Sequence, residues 1–167
     1  LHRLGIEKYS SSHINKMSTE SFEGHVKNWI NAVKICVKTL FHGERFICDH
    51  VFSASDSIRE SCFSDISKEG ATNLFKFPEL VAKSKRSPEK IFQLMDLHES
   101  ISDLWLEIES IFSFESTSGV KLQALNSLNK LGETVRMILS EFESSIQKNS
   151  SKTPLSRGGI HPLTESA

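Results

Sequence analysis

Apolar residues recur along most of the chain at spacings of three and four, the period of a helix that turns one face to a core. Starting at Phe22, the residues Val26, Trp29, Val33, Val37, Leu40, Ile47 and Val51 fall within about 80° of one another on a helical wheel, and Ile30, Phe41, Cys48 and Phe52 widen that stripe. Lys27, Asn31, Lys34, Lys38, Arg45 and Asp49 lie on the other side. Ser18 supplies a capping oxygen and Glu20 a negative charge for the first turn. The pattern predicts one helix from near Ser18 to about Phe52, roughly 50 Å long, with Gly43 as the place for a bend.

Ser53-Ala54-Ser55-Asp56 reads as a break, and Ser57-Ile58-Arg59-Glu60 as a capping box opening a second helix. That helix should run to about Lys76, with Pro78, which has no amide hydrogen to donate, starting a new turn. Ser87-Pro88-Glu89 is the strongest start signal in the chain. Leu94, His98, Ile101, Trp105, Ile108 and Phe112 follow as one stripe, broadened by Leu97, Leu104 and Ile111. A last long helix is predicted from Ser118, with Val120, Ala124, Leu128, Leu131, Val135, Ile138, Leu139, Phe142 and Ile146 on one face. After Asn149 the residues Ser150 to Pro154 and Arg157-Gly158-Gly159 read as a loop, and Ile160 to Thr164 as the start of another helix. The fold class is therefore all-α: four or five amphipathic helices, joined by short connections and stacked antiparallel.

Composition narrows the function. The 20 Lys and Arg against 21 Asp and Glu give a net charge of -1, whereas a nucleic-acid binder needs a basic face. Leu, Ile, Val and Phe make up about 29% of the residues, too rich for an intrinsically disordered chain. No apolar run is long enough to span a bilayer. The start, Leu1-His2-Arg3-Leu4-Gly5, has neither an initiator Met nor an apolar signal core and reads as the middle of something longer. Cys36, Cys48 and Cys62 are too few and too odd in number for a disulfide framework, and a reducing compartment is the expectation. Asn149-Ser150-Ser151 matches a glycosylation acceptor by chance.

The residues able to carry chemistry do not assemble into a site on paper. Cys36, His42, Cys48 and His50 project in different directions from one helix, so no metal ligand set is assigned. His98-Glu99-Ser100-Ile101-Ser102 has the first half of a zinc-protease helix, but Ser102 stands where the second histidine belongs. Cys62, with Glu60 and Asp65 nearby, has no local histidine to activate it. Gly158-Gly159 lacks the Lys-Ser/Thr that would hold phosphate and magnesium. No catalytic residue, cofactor or small-molecule substrate is assigned.

Two features carry a binding reading beside an ordinary one. Lys83, Lys85, Arg86 and Lys90 form a basic cluster at a helix junction, either a solvated connection or a contact for anionic lipid. Ser87, in its midst and followed by Pro88, serves as a cap and also fits a phosphorylation site. Ile35 and Phe46 project away from the main stripe, either as single exposed apolar residues or as a surface for another helix or a partner protein.

An ordered series of segments carries a resemblance: Lys27-Asn28-Trp29-Ile30-Asn31-Ala32-Val33-Lys34-Ile35-Cys36-Val37, Ser57-Ile58-Arg59-Glu60-Ser61-Cys62-Phe63, Arg86-Ser87-Pro88-Glu89-Lys90-Ile91-Phe92, Ser118-Gly119-Val120, Ser151-Lys152-Thr153-Pro154 and Ile160-His161-Pro162-Leu163-Thr164. Together they resemble the Exo-seventy subunit family of the exocyst, the plant branch in particular. The resemblance spans residues 1–164 and implies a middle section of a long rod of stacked helical bundles, with 165–167 a divergent end. It implies a role in tethering secretory vesicles to the plasma membrane in exocytosis, without catalysis. It also implies other exocyst subunits as partners, and a cytoplasmic location with peripheral attachment to the plasma membrane. Family members bind phosphoinositides such as phosphatidylinositol 4,5-bisphosphate through a basic C-terminal region, from which no residue is carried over. The alternative functions are a plant immune or regulatory adaptor and a peripheral phosphoinositide-binding module. The family also leads one to expect an uninterrupted helix where Pro78 stands, and a further helix after Thr164 whose absence would leave apolar surface uncovered.

Overall fold

The computed structural model describes residues 10–152, and among these every regular element is helical. In chain order they are α1 (Ser11–Asn15), α2 (Thr19–Ile35), a π-helical segment (Cys36–Phe41), α3 (His42–Val51), α4 (Asp56–Lys83), a 3-10 turn (Pro88–Lys90), α5 (Ile91–Asp103), α6 (Trp105–Ile111), a second 3-10 turn (Glu115–Thr117) and α7 (Ser118–Lys152). The all-α expectation holds. The residues from Thr153 onward, including the rest of the expected loop, the start of another helix and the divergent end 165–167, lie outside the described residues, as does the expected chain start.

Paired contacts fix the directions of the helices. Asn15 Oδ1 accepts from the Lys85 amide at 2.7 Å, Trp29 Nε1 donates to the Leu74 carbonyl at 2.9 Å, and Asp49 faces Arg59 at 3.5 Å. Numbers rise on one side as they fall on the other, so α2 and α3 run antiparallel to α4. Between α4 and α7 the pairs rise together: the Ser127 hydroxyl donates to the Phe75 carbonyl, and Thr134 Oγ1 to the Ala82 carbonyl at 3.2 Å. Two steps in sequence separate those helices, so α2–α3, α4, α5–α6 and α7 alternate up, down, up, down, as short connections require. One apolar core runs through all four, including Phe22, Trp29 and Val33 of α2, Phe63, Leu74 and Phe75 of α4, Leu97, Ile101 and Ile108 of α5 and α6, and Val120 and Leu131 of α7.

The first helix departs from the predicted stripe for a definite reason. Up to Val37 the predicted Phe22, Val26, Trp29, Val33 and Val37 are buried, joined by Ala32 and Cys36 and with Ile30 half-buried; beyond it Phe41 and Cys48 are buried, whereas Leu40, Ile47 and Val51 are exposed. The π segment adds one residue to the helix, and each later core position moves up by one. Gly43, the expected bend, sits within regular α3 with open space around it.

Pro78 does not start a new turn. It is buried within α4, which runs unbroken for 28 residues. A proline at position 78 leaves the Leu74 carbonyl, four residues back, without its helical donor. The indole N–H of Trp29 takes that carbonyl at 2.9 Å, and the same ring stacks on Phe77 with centroids 5.9 Å apart. The cost of the proline is thus offset from a neighbouring helix.

The capping pattern also shifts. Ser55 caps α4, accepting from the Ile58 amide at 3.4 Å, so Ser57 is already inside the helix. Glu60 turns away from its expected capping role and accepts from the Ser116 amide at 3.1 Å, tying the second 3-10 turn to α4. Ser87 precedes a 3-10 turn and its hydroxyl makes no capping bond. The stripe from Leu94 to Phe112 is divided at Leu104 into α5 and α6. At the far end α7 continues through Asn149 to Lys152, three residues past the expected boundary.

Candidate interaction surfaces

Arg45 shows what the extra residue in the first helix accomplishes. The register shift carries this residue from the solvent side, where its sequence neighbours placed it, to the core-facing stripe. There its side chain is only 17% exposed. Nη1 donates to the Ile111 carbonyl at 2.8 Å and to the Ser113 hydroxyl at 3.0 Å, while Nε donates to Asp49 at 3.0 Å. The guanidinium lies 3.8 Å from the centroid of Phe114 and 5.6 Å from that of Phe63. Phe41 meets Phe112 edge-on, 5.4 Å between centroids. With Arg59 of α4 also 5.6 Å from the Phe114 centroid, two cations and four aromatic rings thereby join the π segment, α3, α4 and the turn after α6.

Ile35 and Phe46 stand on either side of the π segment and are both exposed, at 49% and 58%. Phe46 stacks on His50, ring centroids 4.0 Å apart, and His50 Nδ1 is 2.9 Å from the Phe46 carbonyl. The displaced stripe residues Leu40, Ile47 and Val51 add to the apolar exposure of this arm. Near it a cavity of about 400 Å³ is floored by Val37 and Ile111 and edged by Lys38, His42, Leu106 and Glu107.

A larger uncovered face lies on α7. The buried residues Val120, Ala124, Ser127, Leu131, Thr134 and Ile138 alternate steps of four and three, a heptad seam against α4. The hydroxyls of Ser127 and Thr134 bond to α4 carbonyls, so two polar positions occupy core sites without penalty. A second seam runs one residue out of phase: Leu128, Gly132, Val135, Leu139, Phe142 and Ile146. Its first half packs toward α5; a β-carbon placed on Gly132 would stand only 3.7 Å from His98 Nε2. Met95, His98, Glu99, Gly132 and Val135 line a groove of about 360 Å³ there. Its second half, Leu139, Phe142 and Ile146, is exposed and has no cover among the described residues, and every residue from Glu141 to Lys152 is exposed. Phe92 and Met95 of α5 are exposed at the same end of the groove. Sequence reading placed Leu139, Phe142 and Ile146 on the core face; counting the two heptad phases separately is the signal that would have parted them.

The basic cluster is largely engaged by the protein itself. Lys83 pairs with Glu79 within α4, and Arg86 Nη1 lies 3.4 Å from Glu141 of α7. Lys90 Nζ donates to the Lys85 carbonyl at 3.1 Å and sits 5.0 Å from the Phe22 ring centroid. Burial first, and the neighbouring Lys85 second, hold its pKa below the usual lysine value. Glu79 also accepts from Gln123 at 2.6 Å, and the hydrogen bonds from Lys83 and Gln123 hold its pKa below the usual carboxylate value.

Cys36 and Cys48 are buried, and Cys62 is half-buried. Burial, and next the Cys62 side chain beside it, push the Cys48 thiol up to about 11, so it is protonated at neutral pH. Burial likewise raises Cys36. Glu60, beside Cys62 in sequence, is engaged with Ser116. Among the described residues, no group of three His, Cys, Asp or Glu side chains is placed to hold a metal ion, and no helix is long and apolar enough to cross a membrane.

Comparison with known proteins adds an independent finding. A family model for the C-terminal part of the Exo70 component of the exocyst complex matches residues 27–167. Exocyst complex component EXO70A1 of Arabidopsis thaliana is 37% identical over 164 residues, 98% of this chain and 26% of that relative. Exocyst complex component EXO70B1 of the same plant is 33% identical over 162 residues, 97% of this chain and 26% of the relative. Exocyst complex component EXO70I of Medicago truncatula is 29% identical over 113 residues, 66% of this chain and 16% of the relative. The chain thus spans about a quarter of the length of the first two relatives.

Proposed function

The chain belongs to the Exo70 family of exocyst proteins, and from that membership we propose that it is a non-catalytic helical section of an exocyst subunit, serving to tether secretory vesicles to the plasma membrane. Its contribution is geometric. Four antiparallel helical layers hold a fixed spacing, and their uncovered faces receive further helices. The observation that carries this reading is the second seam of α7, which continues past the core as exposed Leu139, Phe142 and Ile146. An apolar heptad face without cover belongs against another helix. The relatives are about four times as long as this chain, so a further helical layer of the same subunit is the natural occupant. Ile35 and Phe46, on the α2–α3 arm, are assigned to contact with other exocyst subunits. On this reading the protein works from the cytoplasm, peripherally attached to the plasma membrane.

The test is affinity capture from plant extract with the chain as bait, quantified by mass spectrometry. Recovery of the other exocyst subunits, reduced at least tenfold by Ile35→Asp with Phe46→Asp, is the expected result. Recovery of immune-signalling proteins with no exocyst subunit would replace tethering by the adaptor reading. The second reading, phosphoinositide contact through Lys83, Lys85, Arg86 and Lys90, would have to compete with the pairs that Lys83 and Arg86 make with Glu79 and Glu141. Sedimentation with phosphatidylinositol 4,5-bisphosphate vesicles at low salt decides it.

A further inference from the structure

Among the described residues four serines hold the cap position just before a helical element, and three behave alike. Ser10, Ser18 and Ser55 accept with their hydroxyls from the amides of His13, Ser21 and Ile58 at 3.3, 3.2 and 3.4 Å. Ser87 has the extended cap backbone, φ -145 and ψ 133, but its hydroxyl makes no capping bond. The Lys90 amide goes to the Ser87 carbonyl instead, at 3.0 Å, because the turn that follows is 3-10. The one serine that the sequence marks most strongly as a cap therefore has a hydroxyl that the fold does not use.

The surroundings give that hydroxyl a role. Ser84 and Ser87 have extended backbones, and residues 85–87 carry no regular structure, the form in which a peptide enters a kinase cleft. Ser87-Pro88-Glu89-Lys90 has proline next to the acceptor, where the missing amide hydrogen is tolerated, and a cation three residues on. Lys83, Lys85, Arg86 and Lys90 flank it in sequence. Arg86 is held only by a 3.4 Å contact with Glu141, both side chains substantially exposed, which is a weak pair in water.

We propose that Ser87 is the acceptor of a proline-directed serine/threonine kinase, and that the phosphate binds Arg86 and the neighbouring lysines, releasing Glu141 of α7. In the transfer, the Ser87 Oγ forms a bond to the γ-phosphorus of ATP as the bond to the bridging β–γ oxygen breaks. The hydroxyl proton passes to the kinase and ADP leaves. The product carries about -1.5 to -2 charge, more than the single carboxylate it displaces from Arg86. Glu141 opens the uncovered end of α7, so the modification frees that end from its contact with the α4–α5 junction.

The full chain is incubated with ATP and a purified proline-directed kinase, with a peptide spanning residues 83–91 in parallel. One phosphate on Ser87 of the folded chain is expected, lost in Ser87→Ala and slowed at least tenfold in Pro88→Ala. Phosphorus NMR titration should give the folded phosphoserine a lower second ionisation than the peptide, and Arg86→Gln should raise it back toward the peptide value. Phosphate on the peptide alone, on other serines only, or on neither substrate overturns the assignment of the site. Equal titration in chain and peptide overturns the capture by Arg86.

Discussion

At the scale of single residues, Trp29 and Pro78 are one unit. Removing the indole donor leaves the Leu74 carbonyl buried without a partner, which costs about 1–3 kcal/mol. Trp29→Phe should therefore lower the stability measured by urea unfolding by about that amount. In a Pro78→Ala background the helix supplies its own amide to Leu74, and the same substitution should cost clearly less, a non-additivity that a double-mutant cycle reads directly. Glu79 gives a pH test. Its folded pKa lies below the usual value, chiefly through the hydrogen bonds from Lys83 and Gln123, so it contributes stability at neutral pH that is lost as pH falls through that lowered value. Glu79→Gln should flatten the acid limb of a stability–pH curve. Neither the Trp29 bond nor the Gln123 bond was legible in the sequence, since each joins residues more than forty positions apart.

At the scale of the element, the apolar period was a sound guide to which helices exist and a poor guide to their phase. The first helix carries two apolar stripes one residue apart, Leu40-Ile47-Val51 and Phe41-Cys48-Phe52. Periodicity alone favoured the first, because it continues Val33 and Val37 without interruption. The choice is made by Arg45, which reaches Ile111 and Phe114 only in the second phase. Ser127 and Thr134 were passed over for the same kind of reason: their α4 carbonyl partners cannot be seen from one helix. Of the candidate sites, the exposure of Ile35 and Phe46 was legible, as was the basic cluster, but not the ion pairs that occupy it. Deleting exposed Thr39 tests the phase argument. It should convert the π segment to regular helix while keeping Phe41, Cys48 and Phe52 on the core side, with a stability change under about 1 kcal/mol. Deleting Ile47 should turn Cys48 and Phe52 out of their sites and cost on the order of 2–5 kcal/mol by thermal or urea unfolding.

At the scale of the whole molecule, the two seams of α7 divide its labour. Leu131, in the first, is fully buried, and Leu131→Ala should cost about 2–5 kcal/mol. Phe142, in the second, is exposed, and Phe142→Asp should leave the unfolding midpoint of this chain unchanged while weakening whatever helix packs on that face. The hydroxyls of Ser127 and Thr134 add something that apolar packing cannot, because oil-like contacts let one rod slide past its neighbour and two pegs at matched heights do not. A pull on the end of α7 along its axis would load both pegs together, in shear, and pass the strain to α4 before the packing could creep. A stack of helices that must resist stretching is well served by that joint.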